Sequence, residues 1–329
     1  MPESMLSQQS TSSHTRDALL NKPRKSEGKA FVVQNNLGNP ELAKLLINKA
    51  HDIKMLSEVA VKAIAIADNP QSKIQNLVSV VGQDLKLTTN ILSLANSPLF
   101  PTYSAGDSAS CLKLAITRLG FRQTKQMILA SCYSSTIRKL SSNEKDARKN
   151  FTKHSILTGC ICTELNKLFG LGIQGEEFTA GLIHDIGRLL LLAAMPDQFL
   201  TVDKVDFREQ GSLLKQEMDV FGTTHTEVGE WFLRKNQIPE ELVSVAKHHH
   251  FPAASQKYTR LVALVAVADH MASSCSENMV APEEYEYPTL DNLQLLEMLG
   301  ATDAAQILDK DWSGVFIRAI ETSEQILNF

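Results

Sequence analysis

A chain of 329 residues with a formal net charge of −4 and five scattered cysteines is long enough to bury a sizeable core, as one large domain or two closely packed lobes. Mild acidity provides no overall basic field, so nucleic acid is not the expected partner. There is no apolar run of the roughly 18 residues that cross a bilayer and no basic-then-apolar start, so a cytoplasmic protein without membrane contact is expected.

Residues 1–36 are rich in Ser, Gln, Asn, Thr and Lys with little apolar periodicity, which predicts a disordered tail. From Pro40, apolar residues recur every three or four positions, as in amphipathic helices. The first run is Leu42, Leu45, Leu46 and Ala50; the second is Ile53, Leu56, Val59, Val61 and Ile64, ended by Asp68-Asn-Pro70. A third run, Ile74 to Val81, stops at Gly82, and a fourth, Leu85 to Ala95, stops at Asn96-Ser-Pro98. Pro98 to Gly106 reads as a loop, Cys111 to Leu119 as a helix stopped by Gly120, and Thr124 to Leu140 as another helix. The polar stretch Ser141 to Arg148 is the best boundary, dividing an amino-terminal helical lobe at 37–148 from a second lobe at 149–275. In the second lobe helices resume near Asn150, Glu177, Thr224, Glu240 and Tyr258, with no alternating strand pattern between them. Residues 276–329 read as a loop to about 290 followed by two or three terminal helices. The expected fold class is all-α.

Seven of the nine histidines fall between 154 and 270. His184-Asp185 stands in Gly181-Leu-Ile-His-Asp-Ile-Gly-Arg188, which reads as an otherwise apolar helix. His154, His225, His249 and Asp269 continue apolar stripes such as Leu157, Ile161 and Leu165, or Val262 and Val265. Burying these groups without partners would cost several kcal/mol each, so they must satisfy one another, water or a cation. Imidazole and carboxylate donors without thiolate suit one or two divalent ions of Fe, Mn, Zn, Ni or Co. His154, His184, Asp185 and Asp269 would complete one site; His225, His249 and His250 would hold a second ion bridged through Asp185. Paired ions of this kind hydrolyse phosphoesters. His270, about 100° round the helix from Asp269, reads as surface or behind the ligands. Cys160 and Cys162 read as small buried hydrophobes, Asn96-Ser-Pro98 as helix-ending chemistry, and Lys113, Arg118, Arg122 and Lys125 as a solvated helix face.

The order His154, His184-Asp185, Asp269 resembles the HD superfamily of metal-dependent phosphohydrolases. His225 and His249-His250 are similar to the fuller pattern of its HD-GYP branch, which hydrolyses cyclic di-GMP. In this chain Phe251-Pro-Ala-Ala stands where that branch has Gly-Tyr-Pro, Arg188 where it has an active-site lysine, and Asn150 where some members have a glutamate. Arginine keeps a charge that can grip phosphate but cannot serve as a titrating amine. From about Leu37 to Ser274 the chain resembles more closely the HDOD branch, the HD-related output domain of bacterial signalling proteins. Asp68-Asn-Pro70, Val81-Gly-Gln-Asp84, Leu92-Ser-Leu-Ala-Asn-Ser-Pro98, Ala115-Ile-Thr-Arg-Leu-Gly120, Phe221-Gly-Thr-Thr-His225 and Ile238-Pro239 carry that resemblance. It implies a bacterial regulatory module without an established reaction, working through a signalling partner protein, with a nucleotide or phosphate as a further candidate ligand. The nearly full ligand set implies a structural or sensing metal centre. The alternative is a metal-dependent phosphohydrolase acting on a nucleotide or cyclic dinucleotide, with Asp185 and Arg188 in catalytic roles.

Overall fold

The structure, a computed structural model, describes residues 39–51, 55–96, 108–140, 145–205, 207, 213–275, 281, 295, 297–300 and 304–327. The tail expected at 1–36, the loop expected at 98–106 and, Ala281 apart, the one expected at 276–290 lie outside the described residues. Within them the chain forms fourteen α-helices and one 3-10 helix, Pro252–Ala254, with no strand.

The first four helices are α1 (Pro40–His51), α2 (Glu58–Ala67), α3 (Ile74–Val81) and α4 (Leu85–Ala95). Within the apolar run expected from Ile53, the described residues 55–57 are not helical and α2 begins at Glu58, where Ser57 caps it by accepting the Ala60 N–H at 3.1 Å. Asn96 ties the end of α4 to the start of the next helix, accepting from the Ala109 N–H at 2.7 Å and donating to the Ala109 carbonyl at 3.3 Å. Helix α5 (Leu112–Leu140) is broken at Gly120, whose φ of 72° lies in the region that favours glycine. Two members of the basic cluster pair with carboxylates of other elements: Arg122 with Glu176 at 2.5 Å and Lys125 with Asp68 at 2.9 Å.

Helix α6 (Lys145–Phe169) starts five residues before the expected Asn150, taking the polar 145–148 stretch as its first turn. From His154 to Asn166 every residue of α6 is buried, as befits a helix covered on all sides. It packs against α7 (Glu176–Ile183), α13 (Thr259–Ser274) and α14 (Ala304–Leu327), the last kinked at Asp311. Between α7 and α13 come α8 (Ile186–Ala194), α9 (Pro196–Val202), α10 (Leu213–Phe221), α11 (His225–Lys235) and α12 (Glu240–His248). Helix α11 packs on α8 and α12, and α5 reaches both α7 and α8.

Two close crossings set this packing. A Cβ on Gly181 of α7 would stand 2.8 Å from the backbone of Gly159 on α6. A Cβ on Gly187 of α8 would strike the His225 carbonyl and stand 2.9 Å from the Gly229 nitrogen on α11. These glycines let helix backbones approach more closely than side chains allow. Cys160 and Cys162 are fully buried beside the first crossing, and all five cysteines are free thiols.

Candidate metal centre

The helix expected across Gly181–Arg188 is split at the His-Asp pair: α7 ends at Ile183 and α8 begins at Ile186. In a continuous helix neighbouring side chains diverge by about 100°. The break, with Asp185 at φ −97° and ψ 17°, lets both reach one centre. The Thr224 capping box with Glu227 starts α11 so that His225 is its first residue. His249 is the C-cap of α12, and Asp269 lies on α13 facing His154 of α6.

The centre has two clusters. Asp185 with His225, His249 and His250 forms one, and His154 with His184 and Asp269 the other; within each, one potential ligand atom per residue lies within 4.8 Å of the rest. Asp185 joins them. Its Oδ1 is 3.5 Å from His225 Nε2 and 3.4 Å from His249 Nε2, while its Oδ2 is 3.5 Å from His184 Nε2. Asp269 Oδ1 is 2.9 Å from His154 Nε2 and 3.4 Å from His184 Nε2. His250 Nε2 is 3.0 Å from His225 Nε2, whereas His248 belongs to neither cluster and His270 is exposed.

This donor set fits a metal ion in three respects. Nε2 of His154, Nε2 of His184 and Oδ1 of Asp185 are buried without a hydrogen-bond partner. Ligands about 2.1 Å from an ion stand roughly 3.0–3.4 Å apart in octahedral or tetrahedral arrangement, which matches the spacings just given. The far ring nitrogens are anchored: His184 Nδ1 on the Gly181 carbonyl at 2.7 Å, His249 Nδ1 on the Val245 carbonyl at 3.1 Å, and His225 Nδ1 on Glu217 at 2.8 Å. With Nδ1 as donor, each Nε2 faces the centre, and it presents a lone pair there once any proton on it is lost. Charge points the same way. Among the described residues, Asp185, Asp203, Asp269 and Glu217 are buried carboxylates around one buried guanidinium, that of Arg188.

Arg188 itself is turned inward and only 1% exposed. It donates to Asp185 Oδ2 and to Asp203 Oδ2, each at 2.8 Å, and its guanidinium carbon lies 4.4 Å from the Phe207 ring centroid and 5.7 Å from that of Phe151. Phe207 also stacks on the His154 ring, 3.9 Å between centroids and 7° between planes. The other candidate ligands are buried too, and only His250 is partly exposed. Sequence reasoning missed Glu217, Asp203 and Phe207. Glu217 shares a face of α10 with Leu213 and Phe221, the same carboxylate-in-an-apolar-stripe signal that singled out Asp269. Asp203 and Phe207 lie past α9 where no helical period marks them.

Burial opposes charge on His184, but Asp185 and Asp269 beside it raise its pKa from 6.5 to about 9. Burial likewise works against the Asp185 carboxylate, yet His184 and Arg188 hold it well below the usual range. Burial, then His249 and His225, push His250 well below its ordinary value, leaving it neutral. In the metal-free protein the proton on His184 therefore stabilises the fold fully below pH 6.5, and that contribution is lost as pH rises through about 9. An incoming ion must displace this proton. Apparent metal affinity should accordingly climb with pH by up to about tenfold per unit for each proton displaced, with the His184 share levelling off near pH 9 and proton release on metal addition as the direct check. Affinity independent of pH between 6.5 and 9 would contradict the assignment of His184 as a ligand.

Known proteins share this architecture. A crystal structure of an HDOD domain protein with unknown function from Geobacter sulfurreducens superposes with a TM-score of 0.63 at 21% identity, over 86% of this chain and 98% of that one. A Shewanella amazonensis SB2B protein whose name suggests a phosphohydrolase superposes with a TM-score of 0.62 at 20% identity, over 85% of this chain and 97% of its own. An uncharacterized protein of Treponema pallidum (strain Nichols) is 23% identical over 233 residues; these are 70% of this chain and 44% of that protein, so the chain spans under half the relative's length. The HDOD domain family model matches residues 53–252, and with more than half of its length matched the chain belongs to the HDOD family.

Proposed function

We propose that this chain is a bacterial signalling module whose His/Asp centre is a structural or sensing metal site. One or two divalent ions, of Fe, Mn, Zn, Ni or Co, would be held by His154, His184, Asp185, His225, His249, His250 and Asp269. When bound, the metal would supply positive charge to the buried carboxylates and join α6, the α7–α8 break, α11, α12 and α13. The observation that carries the reading is the Arg188 clamp. A guanidinium that is 1% exposed, shared between Asp185 and Asp203 and flanked by two phenylalanines is committed to the protein's own carboxylates. Residues 37–148 then form the helical lobe that contacts a signalling partner in the cytoplasm, 149–275 the HD-like lobe, and 276–329 a carboxy-terminal extension. The name of one similar structure, a signal transduction protein of Marinobacter aquaeolei VT8, accords with this role.

The test is Asp185→Asn, which keeps the shape but removes the shared charge. Untagged wild-type protein should contain one to two transition-metal ions per chain by elemental analysis. The variant should lose metal and about 2–4 kcal/mol of stability together. Neither should hydrolyse cyclic dinucleotides, nucleotides or generic phosphodiesters. Metal-dependent turnover of several per minute in the wild type, abolished in Asp185→Asn, would establish the phosphohydrolase reading instead.

A further inference from the structure

Resting on the metal-centre reading, we propose that Glu217 is the positioning residue that makes the cluster of Asp185, His225, His249 and His250 the first to take a metal ion. The two clusters are not equivalent. One offers three imidazoles and the free Oδ1 of Asp185; the other offers two imidazoles and Asp269, and the Asp185 oxygen nearest to it already accepts from Arg188.

Glu217 adds a second difference. It is completely buried, and its carboxylate oxygens stand 2.9 and 2.8 Å from His225 Nδ1. Oε2 also accepts the His225 backbone N–H at 2.9 Å. The same side chain therefore holds the ring and the first residue of α11. A carboxylate on the far nitrogen fixes the tautomer, locks the ring plane and raises the basicity of Nε2 toward an ion. His184 and His249 have only carbonyl oxygens in that place. An acid in this position costs free energy unless positive charge is near, and an ion on His225 supplies it.

The experiment is a cobalt(II) titration of the metal-stripped full chain, followed by its visible absorption. Wild type should show one tight equivalent ahead of any weaker one. Glu217→Gln should bind that first equivalent about 10–100-fold more weakly, with an altered absorption band. Glu177→Gln, which replaces another buried carboxyl group, one that accepts from the Gly175 N–H and belongs to neither cluster, should leave the affinity unchanged. First-equivalent affinity in Glu217→Gln within threefold of wild type would overturn the proposal. Failure of the wild type to bind cobalt would instead overturn the metal-centre reading itself. Should Glu217→Gln not fold, nitrogen-15 histidine NMR of the wild type with one equivalent of zinc decides. Shifts at Nε2 of His225, His249 and His250, with the His225 proton on Nδ1, support the proposal; shifts confined to His154 and His184 refute it.

Discussion

Arg188→Met should cost about 3–5 kcal/mol of folding stability in the metal-free protein, the largest loss expected from any single substitution here. Methionine fills much of the slot between Phe151 and Phe207, so little of the effect comes from an empty cavity. The cost is electrostatic. Asp185 and Asp203 each lose a charged bond of 2.8 Å, and Asp203 is left buried with only the Val205 N–H on its other oxygen. Arg188→Met combined with Asp203→Asn should recover part of the loss, because one of the stranded charges is removed with its partner. Added metal should restore more stability to Arg188→Met than to wild type, since the ion replaces the missing cation beside Asp185. Arg188→Lys should fall between the two, keeping charge but losing the fork that spans two carboxylates. Denaturant titrations with and without metal measure all four. A loss under 1 kcal/mol in Arg188→Met would show that the clamp is not what holds Asp185.

Gly187→Ala comes second, at about 3 kcal/mol, the upper end of what overpacking costs. The added methyl meets backbone and not a pliable side chain: the carbon of the His225 carbonyl at 2.7 Å, its oxygen nearer still, and the Gly229 nitrogen at 2.9 Å. Helix α11 must move away from α8, carrying His225 from Asp185. A fall of roughly 6–12 °C in melting temperature should accompany weaker binding of the first metal equivalent. Gly229→Ala is the control. Its methyl would find nothing nearer than 3.5 Å, and alanine is the better helix former, so stability should hold or rise. Equal effects of the two substitutions would remove the crossing argument.

Helices were largely legible because their signal is local. The apolar runs ending at Gly82 and at Asn96 coincide with α3 and α4, and Gly120 interrupts α5 where a stop was read. Boundaries were less legible where a side chain competes with periodicity. Ser57 delays α2 past an apolar start, and charged residues fit the first turn of α6 although they look like a linker. The His-Asp break was hidden for a related reason: Leu182, Ile183, Ile186 and Leu189 keep the apolar pattern running through it.

The chemistry of the centre was similarly divided. Polar residues set in apolar stripes announce that they will be buried together, since leaving each alone would exceed what a domain's stability can bear. The all-α class followed from apolar residues recurring every three or four positions, and the polar residues set in those stripes marked the histidines and aspartates that the fold brings into two adjoining clusters. Which of Asp185's oxygens faces which cluster, the anchoring of His225 by Glu217 and the inward turn of Arg188 were decided only by the tertiary structure. Each depends on groups from separate elements meeting within about 3 Å, as Arg188 meets Asp203 and Phe207, and helical periodicity carries no information about such meetings.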